Sequence, residues 1–192
     1  MDPCNNPDSA FWKTFLHRSG PVLQTETIES SGIALCRYTG EFWTSAQRQA
    51  SSLHEISYRA CFKPQLPRFF ITCLAPRGDR VYDPFSGRGT TVIEAGLLGR
   101  RVASNDANPL SRILTTPRFF VPSEKEVAAR LKTIVPDTRE SAAIDLSMFY
   151  EPRTESEIVT LKNYLVGREE AGETDPVDSW IRMVATSRLT GH

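Results

Sequence analysis

The sequence predicts an α/β fold: a parallel βαβ unit followed by a helical segment. Three observations predict it. A short strand candidate, Arg80–Phe85, runs into the glycine-bearing loop Ser86–Thr90 and then a helix, Thr91–Leu98. A second strand candidate follows at once, Arg101–Asp106, and ends in an acid. Beyond residue 120 the apolar residues recur at helical spacing, and no strand pattern is convincing after Tyr150. Strand, loop, helix and strand in that order make the βαβ unit of a parallel sheet.

The rest of the chain is read around that unit. At 192 residues, 40% hydrophobic and 24% charged, it has the composition of one ordinary globular domain. Phe11, Trp12, Phe15 and Leu16 suit an amphipathic helical turn, Ile33–Tyr38 a short strand, and Thr44–Ser52 a loop or helix. Pro64 and Pro67 suit a helix start. Leu66, Phe69, Phe70, Cys73 and Leu74 then predict one buried face. Gly99 fits a helix C-terminus, and Pro109–Leu114 a short helix after the second strand. Ser123–Glu126 and Thr154–Glu157 each read as a capping box. They open core-facing stripes at Val127, Leu131, Ile134 and Val135, and at Ile158, Leu161 and Leu165. Asp175–Leu189 reads as a further helix. Three parts follow: an N-terminal segment 1–53, a ligand-binding βαβ region 54–120 and a helical segment 121–192.

Charge and cysteine usage narrow the classes. Lys plus Arg equals Asp plus Glu, at 23 each, but the distribution is uneven. Arg59–Arg112 holds nine basic against four acidic residues, and Ser123–Asp178 seven against thirteen. The first stretch could face an anionic partner, although ordinary surface charge is the better explanation. Cys4, Cys36, Cys61 and Cys73 show no C-x-x-C spacing, so no zinc site is expected and the four read as buried or free thiols. The N-terminus has no basic-then-apolar secretory pattern, and no apolar run reaches membrane-spanning length. A cytoplasmic protein without a membrane partner is expected.

The chemistry lies in Val81–Thr91, VYDPFSGRGTT. A strand ending in a glycine loop brings backbone close to a ligand, because Gly87 and Gly89 carry no Cβ. The loop opens a helix whose first amides have no intrahelical acceptor. Asp106 stands 23 residues after Asp83, near the spacing at which a second-strand acid holds a ribose hydroxyl pair. The pattern predicts an adenosine-containing ligand at the carboxyl ends of parallel strands. A third fingerprint glycine is replaced by Val92, and no G-K-[ST] is present, which argues against a dinucleotide or a P-loop nucleotide.

The string Asp83-Pro84-Phe85-x-Gly87-x-Gly89-Thr90-Thr91 resembles the cofactor motif of DNA methyltransferases that modify the exocyclic amine of adenine (N6) or cytosine (N4). His54-x-x-x-Tyr58-x-x-x-Phe62-Lys-Pro64 is similar to the segment preceding that motif in the same family. The resemblance covers residues 54–116 and implies a partial Rossmann-like methyltransferase sheet that binds S-adenosyl-L-methionine. It implies that Asp83, Pro84, Phe85, Ser86, Gly87 and Gly89 line the cofactor, with Tyr58, Phe62 and Pro64 walling its methionine part. Thr90 and Thr91 would meet the carboxylate or merely cap the helix. Asp106 would take the ribose hydroxyls, and Asn105 and Ala107 would flank the adenine. Methyltransferases of this group also need a (D/N/S)-P-P-(Y/F/W) tetrapeptide to hold the target amine. No Pro-Pro dipeptide occurs in this chain. The expectation is therefore the cofactor-binding part of a DNA methyltransferase of a restriction–modification system, truncated before its catalytic motif and inactive alone. DNA would be met through the longer enzyme, with a catalytic half or a second copy as a partner. An RNA amino-methyltransferase fragment and a non-catalytic cofactor- or partner-binding module are the alternatives.

Overall fold

The computed structural model describes residues 24–40, 50–56, 58 and 61–189. The turn expected at Phe11–Leu16 and most of the Thr44–Ser52 segment lie outside them. The chain forms two compact units, Met1–Glu55 with Ala60–Ala107, and Ile56–Arg59 with Asn108–His192.

The first unit opens with an antiparallel hairpin, β1 (Gln24–Ser30) and β2 (Ile33–Thr39). The two turn residues Ser31 and Gly32 have φ of 53° and 75°. Positive φ at both positions is the tight turn whose twist matches that of the flanking strands. The strand expected at Ile33–Tyr38 is therefore present. Its partner β1, QTETIES, carries one large apolar residue and gave no periodic signal. Cys36 is disulfide-bonded, which corrects the thiol reading at that position, while Cys61 is exposed and Cys73 half-buried.

Helix α1 (Gln65–Leu74) starts on Pro64, which needs no amide partner there. Its buried residues are Pro67 and Ile71, one turn apart, not the stripe read from the sequence. Phe70 and Leu74 of that stripe are exposed. Arg100 closes the end of α1 by donating to the Ala75 carbonyl through Nε at 3.0 Å and Nη2 at 2.6 Å.

Strands β3 (Arg80–Asp83) and β4 (Arg101–Ser104) pair in parallel across helix α2 (Thr90–Leu97), as the βαβ reading requires. Arg80 faces Arg101 and Asp83 faces Ser104, so both strands stop at the same level. Val92, Ile93 and Ala95 of α2 are almost wholly buried, and α1 packs against this helix. Gly99, at φ 75°, ends the turn that follows.

The second unit is helical. It comprises α3 (Leu110–Thr115) running into a 3-10 turn, α4 (Glu124–Thr133), α5 (Pro152–Glu170) and α6 (Pro176–Leu189). Ile56, Leu114 and Met183 form its buried cluster, with Tyr58, Leu110 and Trp180 packed around it. The Ser123–Glu126 capping box forms as expected. The Thr154–Glu157 box does not. Pro152 takes the first helical position, which leaves Thr154 inside α5, and Glu157 pairs with Arg153 at 3.1 Å.

Nor is the α4 stripe core-facing: no residue of α4 is buried, and Leu131 and Val135 are exposed. Charge ties α4 in place instead. The Asp178 carboxylate, 2% exposed, accepts from Arg130 of α4, from Arg168 Nε of α5 at 2.7 Å and from the Asp175 amide at 3.3 Å. Arg130 also donates to Asp175 at 2.6 Å. Burial opposes ionisation of Asp175, but hydrogen bonds from Arg130 and from the Asp178 and Val177 amides outweigh it and hold the carboxyl below its ordinary value.

Removing a buried acid that joins two guanidinium groups costs about 3 kcal/mol. Asp178→Ala should lower the urea midpoint of the helical unit accordingly. Because the folded Asp175 value is depressed, its contribution is fully present above the unfolded value of about 3.9 and is lost as pH falls through the folded one. Acid unfolding monitored by circular dichroism should therefore be less steep below pH ~4 in Asp175→Asn.

Candidate functional site

The glycine loop is fixed at the common end of β3 and β4. The ladder continues one step past the strands, with the Asn105 amide donating to the Asp83 carbonyl at 2.9 Å and the Ser86 amide to the Asn105 carbonyl at 3.0 Å. Asp83 turns the chain: its Oδ1 accepts from the Phe85 amide at 3.0 Å, and its carbonyl accepts from the Ser86 hydroxyl at 3.0 Å. The carboxylate of Asp106, arriving from the β4 side, accepts the Gly87 amide at 2.7 Å. The two acids picked out 23 residues apart thus meet at one loop.

Gly87 (φ 51°) and Gly89 (φ 81°) both occupy the left-handed region that side chains avoid. Gly89 is also the residue that starts α2, and no side chain caps that helix end. Both glycine amides are engaged within the loop, Gly87 by Asp106 and Gly89 by the Ser86 carbonyl at 2.6 Å. Close approach here is a matter of missing Cβ atoms more than of bare amides. Thr90 is buried, and its hydroxyl accepts from Arg88 Nε at 3.2 Å. Thr91 is half-buried.

The open side of the loop is formed by Phe85, 86% exposed, with Pro84, Asn105 and Ala107 also exposed. Ser86 is buried beneath it. Of the upstream residues, Pro64 is buried at the start of α1 and Phe62 is exposed, both in the same unit as the loop. Tyr58 belongs to the helical unit, where it packs on the Ile56–Leu114–Met183 cluster.

Sequence reasoning missed a set of contacts that support the loop from behind. Glu94 is 2% exposed in the second turn of α2, and its Oε1 lies 2.7 Å from His54 Nε2. Its Oε2 accepts from Arg68 at 3.2 Å. Arg88 donates to the His54 carbonyl at 3.2 Å. The available signal was the acid itself: Glu94 interrupts the apolar run Val92–Ala95, and a buried carboxylate requires donors.

The fold and this loop define an α/β protein whose two parallel strands deliver carboxylates to a glycine turn at a helix start. A family model of N6/N4 methyltransferases, described as DNA methylase, matches residues 22–126, more than half of the chain. The chain belongs to this DNA methylase family. It is 30% identical over 125 residues to the Type II methyltransferase M.BsoBI of Geobacillus stearothermophilus, covering 62% of this chain and 24% of that protein. It is 34% identical over 88 residues to the Type II methyltransferase M.MvaI of Kocuria varians, covering 42% and 19%. The chain thus spans a quarter or less of these relatives. No solved structure matches. Among the described residues, no helix is long and apolar enough to cross a membrane.

A side chain at Gly89 must either hold a left-handed backbone, at about 1–2 kcal/mol, or shift the start of α2. Gly89→Val should lower the unfolding free energy of the βαβ unit by at least that amount in urea titration. Gly96→Ala, inside α2 and outside the left-handed set, should not.

Proposed function

We propose that residues 54–120 form the S-adenosyl-L-methionine-binding region of a DNA methyltransferase acting on an exocyclic amine, adenine N6 or cytosine N4. In this reading the fold is a partial Rossmann-like methyltransferase sheet, and the helical segment 121–192 lies outside the cofactor region. One observation carries it: the Asp106 carboxylate and the Gly87–Gly89 loop converge at the level carboxyl ends of β3 and β4. This is where open parallel sheets bind ligands.

The residues present fit such a cofactor. An adenosyl group needs a flat apolar surface, an acceptor for its ribose hydroxyls and a loop without side chains in its path. Exposed Phe85 offers the first, Asp106 the second, and Gly87 and Gly89 the third. One carboxylate oxygen accepts more than one hydrogen bond, so the contact to Gly87 leaves Asp106 able to receive ribose hydroxyls. Asn105 and Ala107 flank the adenine, and the Asp83 side chain lies beside the loop that receives the methionine part. Pro84 and Ser86 shape that loop, and Thr91 and the first amides of α2 face the methionine carboxylate. Phe62 and Pro64 wall the methionine part. When bound, S-adenosyl-L-methionine supplies an electrophilic methyl group on sulfur.

Nothing in this chain supplies the paired prolines that hold a target amine, so it binds the cofactor without transferring the methyl group. A further polypeptide portion bearing such a tetrapeptide would complete the reaction on DNA, in the cytoplasm and as part of a restriction–modification system.

Calorimetry tests the reading. The 192-residue protein should bind S-adenosyl-L-methionine, and Asp106→Ala should weaken binding at least ~10-fold, the loss of a charged acceptor for two hydroxyls. Equal affinity in the variant removes the ribose assignment. Tritium transfer from labelled cofactor to DNA by this chain alone contradicts the division of labour.

A further inference from the structure

We propose that His54 is a positioning residue that clamps the glycine loop from behind, through its side chain and its carbonyl together. The side chain reaches the second turn of α2, with Nε2 at 2.7 Å from Glu94 Oε1. The two side chains share one hydrogen bond there. The carbonyl of the same residue accepts from Arg88, which lies between Gly87 and Gly89. Arg88 is held in turn by the Thr90 hydroxyl at 3.2 Å. One residue therefore grips both the loop and the helix that the loop opens.

Its local geometry allows this double grip. His54 ends a 3-10 turn in which Ser51 Oγ accepts from the Leu53 amide at 3.3 Å and the His54 amide donates to the Ser51 carbonyl at 3.0 Å. That turn directs the ring inward and leaves the carbonyl to Arg88. Both carboxylate oxygens of Glu94 are taken, Oε2 by Arg68. The ring is 4% and the Glu94 side chain 3% exposed, so water cannot replace either partner. Nδ1 of His54 is buried and has no hydrogen-bond partner among the described residues. An apolar ring would fill the space without joining α2 to the loop.

The inference deepens the cofactor reading, since a clamped loop is one pre-organised for a ligand. Its test has one readout that needs no ligand. Amide hydrogen exchange is followed by mass spectrometry on the full chain, comparing wild type, His54→Ala and His54→Gln. In His54→Ala the amides of 87–93 should exchange about tenfold faster, while those of α5 and α6 stay unchanged. His54→Gln, whose amide nitrogen reaches the same carboxylate, should return to within about twofold of wild type. Unchanged exchange in His54→Ala overturns the clamp. So does a glutamine variant as fast as the alanine one, because the ring would then act only by filling space. Should His54→Ala fail to fold, Arg88→Ala removes the contact to the His54 carbonyl together with that to the Thr90 hydroxyl. It should still speed exchange at 87–93, and unchanged exchange there overturns the clamp. Calorimetry with S-adenosyl-L-methionine is run alongside. A wild type that binds none defeats the cofactor reading while the exchange result still decides the clamp. Wild-type binding that weakens in His54→Ala and recovers in His54→Gln supports both.

Discussion

The βαβ unit depends on one register. Because Asp83 pairs with Ser104 across two four-residue strands, the chain leaving β3 and the chain leaving β4 emerge side by side. Only then can a carboxylate two residues past β4 reach an amide four residues past β3, as Asp106 reaches Gly87. A slip of one residue would send the strand side chains to the opposite faces of the sheet. The left-handed turns at Gly87 and Gly89 are the other half of the same constraint. They reverse the chain within three residues and start α2 at a point set by the ladder rather than by a side-chain cap.

Each compact unit places an acid in its interior and surrounds it with donors. Glu94 meets His54 and Arg68, and Asp178 meets Arg130, Arg168 and a backbone amide. Such groups give little net stability, since desolvation offsets much of the attraction, but losing one partner leaves a bare buried charge. Their use is directional. Apolar contacts hold α2 against α1 and hold Met183 against Leu114 without fixing rotation or register. A carboxylate with defined donors fixes both. The helical unit needs this most, because α4 buries no side chain and is tied by Arg130 instead.

These features also explain what the sequence disclosed. The strand–loop–helix–strand unit was legible because each piece follows a local rule: two glycines where φ is positive, a proline at the start of α1, a glycine at the end of α2, and an acid one short helix away. The convergence of Asp83 and Asp106 was legible for the same reason. The buried faces were less so. The α1 and α4 stripes were drawn from apolar spacing alone, and several of their residues, Phe70, Leu74, Leu131 and Val135, point to solvent. Periodicity shows which residues share a face and not whether anything covers it. Strand β1 escaped because a hairpin of polar and threonine residues is held by its ladder and its Ser31–Gly32 turn, not by an apolar pattern. The His54–Glu94–Arg88 group escaped because its members lie 34 and 40 residues apart and meet only in three dimensions.

The same arrangement bears on how a cofactor would be received. A flexible glycine loop must be ordered before it can grip a ligand, and that ordering subtracts from affinity. Here the order is already present. Gly87 is held by Asp106, Gly89 by Ser86, and Arg88 by His54 and Thr90. Under the proposed reading, the carboxylate that shapes the loop is also the one that receives the ribose. Loop order and ligand binding then draw on a single residue. A ligand that withdrew Asp106 from Gly87 would undo the turn that admits it, so binding must add to that contact rather than replace it. Under that reading the ribose hydroxyls would approach the carboxylate by lone pairs that Gly87 does not use.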